Sequence, residues 1–393
     1  MSTPAIVAAR GAMERAVDVV GAGPAGLAAA ITLARGGRRV VIHERASDVG
    51  HRFHHDFQGL ENWTTERDVL DDLASIGIQP TFAHTPFFET TLFAPDGRTH
   101  VYRSARPFYY LVRRGPGPGT LDEALKQHAL AAGAELRFND PVRHLPDGGI
   151  VADGPHGSDV IAVGYVFDTD APNGAYAALS DRLAPQGYAY LLIADGRGTV
   201  ASCMFADFHR EREYLERTVR FFQERVAFAM SAPRRFGGFG NFRPAQVVQR
   251  GGMLYSGEAA GLQDALWGFG MRSAMLSGHL AAQAMLAGAA VEYPAALRTR
   301  LGGLNRAGAV NRYLYARLGE GGYRHLTRRL DAARDPRGWL RHHYHPSWVS
   351  RALYPLAARA LRHPADAGAC LEPGCDCTWC RCTHDEGLRC RVD

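Results

Sequence analysis

Residues 17–45, VDVVGAGPAGLAAAITLARGGRRVVIHER, read as a strand, a glycine turn, a helix and a second strand. Val17 to Val20 and Val40 to Ile42 are short apolar runs of the kind a parallel sheet buries on both faces. Between them Leu27, Ile31 and Ala34 recur at helical spacing, and Gly36-Gly37 supplies the stop. Gly21, Gly23 and Gly26 form a G-x-G-x-x-G turn, with Pro24 and Ala25 inside it. The first glycine permits the tight turn, the second lets a pyrophosphate reach the backbone, and the third lets helix and strand pack closely. Phosphate would rest on the helix N-terminus, where free N–H groups and the macrodipole favour negative charge. Glu44, at about the expected 20-residue offset, is placed to accept hydrogen bonds from an adenosine ribose diol. Arg45 follows it directly, and Arg52 lies in the next loop; both join the expected cofactor set.

Composition bounds what else the chain can be. Its 393 residues, 46% hydrophobic, can bury a large core, and two linked domains are expected. The net charge of +5 is carried almost wholly by arginine, with Lys126 the only lysine. No compact basic run with interleaved aromatics occurs, so no nucleic-acid partner is expected. No apolar stretch reaches the roughly 18 residues of a membrane span. Residues 1–15 lack a charged segment followed by an apolar one and read as a lead-in, so a cytoplasmic location is expected.

Residues 46–64, ASDVGHRFHHDFQGLENWT, lose all periodicity. His51, His54, His55 and Asp56 match no dedicated metal spacing, and a polar loop returning to the cofactor is the better reading. Residues 66–76 predict a helix with Val69, Leu70 and Leu73 buried; Thr90–Phe93 and Thr99–Arg103 predict a hairpin around Pro95-Asp96-Gly97. YLVRRGPGPGTLDEALKQHALAAGAELRFN then predicts a helix ending near Gly133 and a strand at 135–138, with Arg113 or Arg114 reaching toward the cofactor. Val163 to Asp168 is expected to close this nucleotide-binding segment. Tyr188–Ile193 and Thr199–Phe205 flank a turn, and Leu215, Val219, Phe222 and Val226 mark an amphipathic helix.

A third return to the nucleotide domain, GGMLYSGEAAGLQDALWGFGMRSAMLSGHLAAQAML at 251–286, favours a flavin over a nicotinamide. A strand at 253–256 runs into Gly257-Glu258-Ala259-Ala260-Gly261, where the carboxylate can hold a ribityl hydroxyl. Trp267-Gly268-Phe269-Gly270-Met271 then opens a helix whose amides would face the pyrimidine edge of an isoalloxazine, where reduction places negative charge.

On these residues the chain resembles the geranylgeranyl reductase family, among flavin monooxygenases and lycopene cyclases with a glutathione-reductase-type FAD domain. The resemblance covers most of 15–300: GAGPAG with Glu44, LVRR, VFDTDAPNG, PQGYAYLL and GEAAGLQDALWGFGMRSA. It implies flavin-holding roles for Gly257, Glu258, Gly261, Gly268, Gly270 and Met271, with Phe269 among them. It also implies that Tyr188, Tyr190 and Trp267 line a substrate cavity. Departures are Glu258 where Asp is usual, Ala265 for Pro, Tyr190 and Leu192 for Trp and Phe, and no cysteine in 46–60.

The expected fold is α/β, α+β overall. A Rossmann-like FAD-binding domain (16–79, 113–171, 248–290) carries an inserted antiparallel-sheet substrate domain (80–112, 172–247), a C-terminal helical region (291–365) and a Cys-rich tail (366–393). The expected function is flavin-dependent reduction of C=C bonds in an apolar, isoprenoid or lipid-like substrate. The alternatives are a monooxygenase hydroxylating an aromatic or lipid, and a flavin electron carrier. No second G-x-G-x-x-G unit is present, so the reductant, NAD(P)H or an electron carrier, is expected to bind transiently. No catalytic acid is named.

Residues 337–363, RGWLRHHYHPSWVSRALYPLAARALRH, mix apolar residues with Arg and His. Packing against the FAD domain is expected, with peripheral contact to an anionic membrane as the alternative, since Pro346 and Pro355 interrupt a long amphipathic face. In the tail, Cys370, Cys375, Cys377, Cys380, Cys382 and Cys390 leave only Cys203 elsewhere. Clustered thiolates repel unless a cation neutralises them. Cys375, Cys377, Cys380 and Cys382 are therefore expected to bind zinc or an iron–sulfur cluster, with Cys370, His384 and Cys390 as further candidates.

Overall fold

A computed structural model describes residues 15–242 and 247–362, together with Thr378. The first part of the chain forms β1 (Val17–Val20), α1 (Pro24–Arg35), β2 (Val40–His43), β3 (Phe57–Glu61) and α2 (Val69–Ser75). There follow β4 (His84–Phe87), β5 (Glu89–Phe93), β6 (Thr99–Arg103), β7 (Tyr109–Arg113), α3 (Leu121–Ala131), β8 (Glu135–Arg137) and β9 (Gly149–Val151). The middle of the chain forms β10 (Val160–Asp168), β11 (Gly174–Ala178), β12 (Tyr188–Ala194), β13 (Arg197–Met204), α4 (Glu211–Gln223) and β14 (Ser231–Gly240). The last part forms β15 (Gln249–Arg250), β16 (Met253–Tyr255), α5 (Met271–Leu286), α6 (Tyr293–Arg300), α7 (Gly302–Asp331), α8 (Pro336–Tyr344) and α9 (Trp348–Arg362).

The nucleotide-domain sheet has the order β15-β16-β9-β1-β2-β8, parallel apart from the β15–β16 pair. Val19, Leu27, Ile31, Leu33 and Ile42 are wholly buried between this sheet and α1. The third fingerprint glycine has its expected use: a Cβ on Gly26 would lie 1.9 Å from Gly21 O. Helix α5 crosses α1 just as closely, since a Cβ on Gly278 would lie 2.0 Å from Ala25 O. The C-terminal ends of β1, β9 and β16 therefore open on one crevice, where parallel sheets place their ligands.

The second sheet has seven strands, β14-β10-β13-β12-β11-β5-β6, and β3-β7-β4 form a third. The predicted hairpins at 90–103 and 188–204 are both present. One strand assignment is corrected. Val163 to Asp168 does not close the nucleotide sheet: it belongs to β10, antiparallel between β13 and β14 in the seven-stranded sheet. An apolar run shows that a strand is buried but not which sheet buries it. The strand beside β1 is the three-residue β9, so Ala152-Asp153-Gly154 meets the crevice. The inserted module accordingly takes in β10, upstream of the expected boundary at 172. Strand β14, SAPRRFGGFG, carries no strand signal in Pro233, Gly237 and Gly238, and such residues are tolerated because it lies at the sheet edge.

Helices α6 to α9 pack on the rest of the chain. Buried Arg312 of α7 lies over the rings of Phe205 (4.1 Å) and Tyr315 (5.0 Å), and Arg337 of α8 donates to Asn62 O at 2.8 Å. Pro355 does not break the chain's last described helix; α9 continues through it with Pro355 on its exposed side. Among the described residues, no helix is long and apolar enough to cross a membrane. Thr378, buried, is bound through its N–H (2.8 Å) and hydroxyl (3.2 Å) to the buried carboxylate of Glu211.

Candidate active site

One continuous cavity of about 920 Å³ begins at the fingerprint turn, passes the start of α5 and ends between the seven-stranded sheet and helices α7 and α8. At its first end Gly21 has φ +95°, and a Cβ there would lie 2.3 Å from Ala152 O. Gly23 differs: a Cβ on it would meet nothing within 4 Å, because the residue faces the open cavity. Gly23 is also the N-cap of α1 and offers no side-chain cap, so the first amides of that helix point to whatever occupies the cavity. Glu44 lines the same end, its carboxylate fixed by the N–H groups of Ala22 (2.8 Å) and Ala46 (2.9 Å). Pro24, Ala25 and Arg45 complete this wall.

Midway, Gly257 has φ +63° and its N–H is held by Ser277 Oγ at 2.9 Å, which seats the turn on α5. Glu258 faces the cavity but pairs with Arg52 at 2.8 Å, and the Arg52 guanidinium lies 4.8 Å from the Phe53 ring. Gly268 (φ +76°), Phe269, Gly270 and Met271 then lead into α5, whose N-cap Gly270 has no side-chain cap either. Two uncapped helix N-termini thus open on one cavity. Gln263 donates to Gly268 O at 2.9 Å, while its own Oε1 is buried without a hydrogen-bond partner. Phe269 is held edge-on by Trp63 at 4.9 Å.

The far end is aromatic and aliphatic. Tyr188 and Tyr190 lie 5.9 Å apart on β12, and Tyr188 donates to Trp267 O at 2.5 Å. All three line the cavity beside Cys203. The opposite wall is α7 and α8. Leu314, Leu318, Leu326 and Leu330 of α7 line the cavity, and 60% of Leu318 is open to solvent, which marks the mouth.

Two expected cofactor residues lie off the wall. Arg113 is not at the cavity; its guanidinium turns to Pro118 O, and Arg114 takes the place. Arg114 is buried in a two-pronged pair with Asp122 (2.8 and 2.9 Å) and stacks 4.1 Å from Phe53. Strand alternation at the end of β7 sends the two arginines to opposite sides. Gly261, with φ +66°, ends the turn behind the wall and does not line it.

Sequence reasoning missed the α7 stripe, although 314, 318, 322, 326 and 330 stand at i, i+4 spacing. It also missed Glu61, Asp264 and Tyr344, which carry no local motif. Burial pushes the Glu61 carboxyl up to about 7, with Arg272 only partly opposing it. Seclusion from bulk water pushes Asp264 up to about 6, against hydrogen bonds from Trp267 N–H and Tyr344 O–H.

The loop histidines make no metal site: among the described residues, no group of three or more His, Cys, Asp or Glu side chains is placed to hold one. Cys370, Cys375, Cys377, Cys380, Cys382, His384 and Cys390 lie outside the described residues.

Residues 19–63 match the family described as NAD(P)-binding Rossmann-like domain. A putrescine oxidase of Kocuria rosea is 34% identical over 143 residues, 34% of this chain, and the match spans only 28% of that relative's length. A geranylgeranyl bacteriochlorophyll reductase-like protein from Thermoplasma acidophilum superposes with a TM-score of 0.66, covering 89% of this chain and 98% of its own at 18% identity. A flavin-dependent brominase gives 0.59 at 14% identity, covering 88% and 98%. The chain shares its fold with these two proteins. At these identities the likeness fixes the architecture, and the substrate has to be argued from the site.

Proposed function

We propose that this chain binds FAD and reduces C=C bonds of an apolar, isoprenoid or lipid-like molecule. The observation that carries this reading is the continuity of one cavity. It is built for a dinucleotide at one end, with an open Gly23, a fixed Glu44 and two uncapped helix N-termini, and for an apolar chain at the other. Bound FAD would supply the two-electron chemistry. Glu44 would accept from the ribose hydroxyls, the first amides of α1 would carry the pyrophosphate, and the start of α5 would face developing negative charge. Gln263 Oε1 supplies an acceptor still without a partner. Tyr188, Tyr190 and the leucines of α7 would exclude water from the substrate chain and align it. The reductant, NAD(P)H or a carrier protein, would act from outside this cavity.

Exposed Trp348, Val349 and Leu356 on α9, interspersed with Arg351 and Arg359, support peripheral contact with an anionic membrane from which such a substrate would come.

The test is anaerobic. Purified protein reduced with dithionite is mixed with geranylgeraniol, and flavin absorbance is followed. Reoxidation with a saturated product supports the reading. No anaerobic reoxidation, with substrate-dependent oxygen uptake in air, would transfer the chain to the monooxygenases.

A further inference from the structure

A second cavity, about 30 Å³, lies behind the turn 267–270, lined by Glu61, Trp63, Thr64, Asp264, Arg272 and Tyr344 among others. Glu61, Thr64, Asp264 and Arg272 give it polar groups, and its volume is that of a water site. Trp63, one of its lining residues, has a buried Nε1 without a hydrogen-bond partner, a donor for which the protein provides no acceptor. Glu61 accepts from Thr64 Oγ at 2.8 Å, and its second oxygen is left to hydrogen-bond such a water. Tyr344 lines both cavities. Its ring, 4% exposed, forms part of the large one, and its hydroxyl donates to Asp264 Oδ2 at 3.0 Å.

We propose that Tyr344 delivers the proton that alkene reduction requires, and that Asp264 returns one to it from the buried water site shared with Glu61. The inference rests on the reductase reading above. Reduction of C=C adds a hydride equivalent, two electrons and a proton, from reduced flavin to one carbon. The other carbon forms its C–H bond with the Tyr344 proton as the phenolic O–H breaks. The phenolate recovers its proton from the Asp264 carboxyl, Asp264 from the Glu61 carboxyl through the bridging water, and Glu61 from solvent, so flavin is oxidised and one solvent proton is consumed.

Three other cavity phenols lack this backing. Tyr188 is committed to a backbone carbonyl, Tyr109 to Thr90 Oγ at 3.3 Å, and Tyr102 meets Asp331, whose side chain is 41% exposed. Asp264 also braces the turn at the cofactor end by accepting from Trp267 N–H at 2.8 Å, so Tyr344 stands against that turn. Burial keeps the Tyr344 phenol protonated across the neutral range, as a reloadable acid needs. Asp264 is faced by Arg312 of α7 and Glu61 of β3, and Glu61 in turn by Arg272 of α5 and Asp72 of α2.

The test compares wild type with Tyr344→Phe, Asp264→Asn and Glu61→Gln, all FAD-loaded. Tyr344→Phe should slow geranylgeraniol-driven reoxidation by about 100-fold or more and abolish the solvent deuterium isotope effect, with FAD content and geranylgeraniol affinity unchanged. Asp264→Asn should flatten the fall in rate as pH rises through about 6. Infrared titration of the oxidised protein, without substrate, should show a carboxyl C=O band lost in that range, absent in Asp264→Asn and displaced in Tyr344→Phe. An active wild type with an equally fast, equally isotope-sensitive Tyr344→Phe overturns the proposal and leaves the reductase reading standing. A wild type inactive toward the probe sinks that reading instead. The infrared arm still decides the relay: a carboxyl titration untouched by Tyr344→Phe overturns it.

Discussion

Gly21 and Gly23 stand two residues apart and require glycine for opposite reasons. Gly21 holds a left-handed backbone pressed on Ala152 O, whereas Gly23 has open space where a side chain would be. Gly21→Ala should destabilise the fold by roughly 2 kcal/mol or more, seen as a lower Tm. Gly23→Val should leave Tm within a degree or two of wild type yet strip FAD from the purified protein, as should Glu44→Ala. Full flavin retention in both would count against the cofactor assignment. Glu61 gives a pH prediction of definite sign. Its folded carboxyl is raised to about 7, so its contribution to stability is complete below the ordinary carboxylate range and is lost as pH rises through about 7. A shift of this size corresponds to about 3 kcal/mol, and Asp264 acts in the same direction. Denaturant unfolding from about pH 5 to about pH 8 should show falling stability in wild type and a flatter profile in Glu61→Gln.

At the scale of elements, the cofactor end is a matter of two helices. Both α1 and α5 start at the cavity, and they can do so only because Gly278 lets α5 lie on the backbone of α1 at Ala25. Gly278→Val would drive the helices apart; a loss of several kcal/mol together with weakened FAD binding is expected, read by unfolding and by flavin content. Helix α9 makes the contrasting case. Pro355 sits in its interior on an exposed face, where proline removes a hydrogen bond to the turn before it. Pro355→Ala should therefore raise stability, by up to about 3 kcal/mol, without touching turnover. Unchanged or lower stability would count against this.

At the scale of the whole molecule, the cavity belongs to no single layer: the parallel sheet supplies one end, the seven-stranded sheet one wall and the C-terminal helices the other. Tyr190→Asp should abolish geranylgeraniol binding, measured by tryptophan quenching, while FAD content stays at the wild-type level, because the residue lies at the apolar end. Thr378 is tied in as well, supplying two hydrogen bonds to the buried Glu211 carboxylate, whose other partner is Arg235. Truncation at residue 366 should lower stability by about 1–3 kcal/mol. Elemental analysis of the same pair tests the metal expectation for Cys375, Cys377, Cys380 and Cys382. Metal in the full chain that is lost on truncation supports it, and equal metal content in both removes it.

The sequence by itself determined the cofactor end. Glycine positions, the apolar strands beside them and Glu44 act over a few bonds, through backbone sterics and helix termini, so their spacing carries the geometry that the structure displays. Tyr188, Tyr190 and Trp267 were singled out through the resemblance, and all three line the cavity. What tertiary structure alone decided are contacts between residues far apart in the chain. An apolar run at 160–168 shows burial but not which sheet accepts it, and two adjacent arginines do not reveal that Arg114, rather than Arg113, finds Asp122. Nor does any local pattern join Glu61, Asp264 and Tyr344, whose shifted carboxyls arise because distant segments fold around them and exclude bulk water.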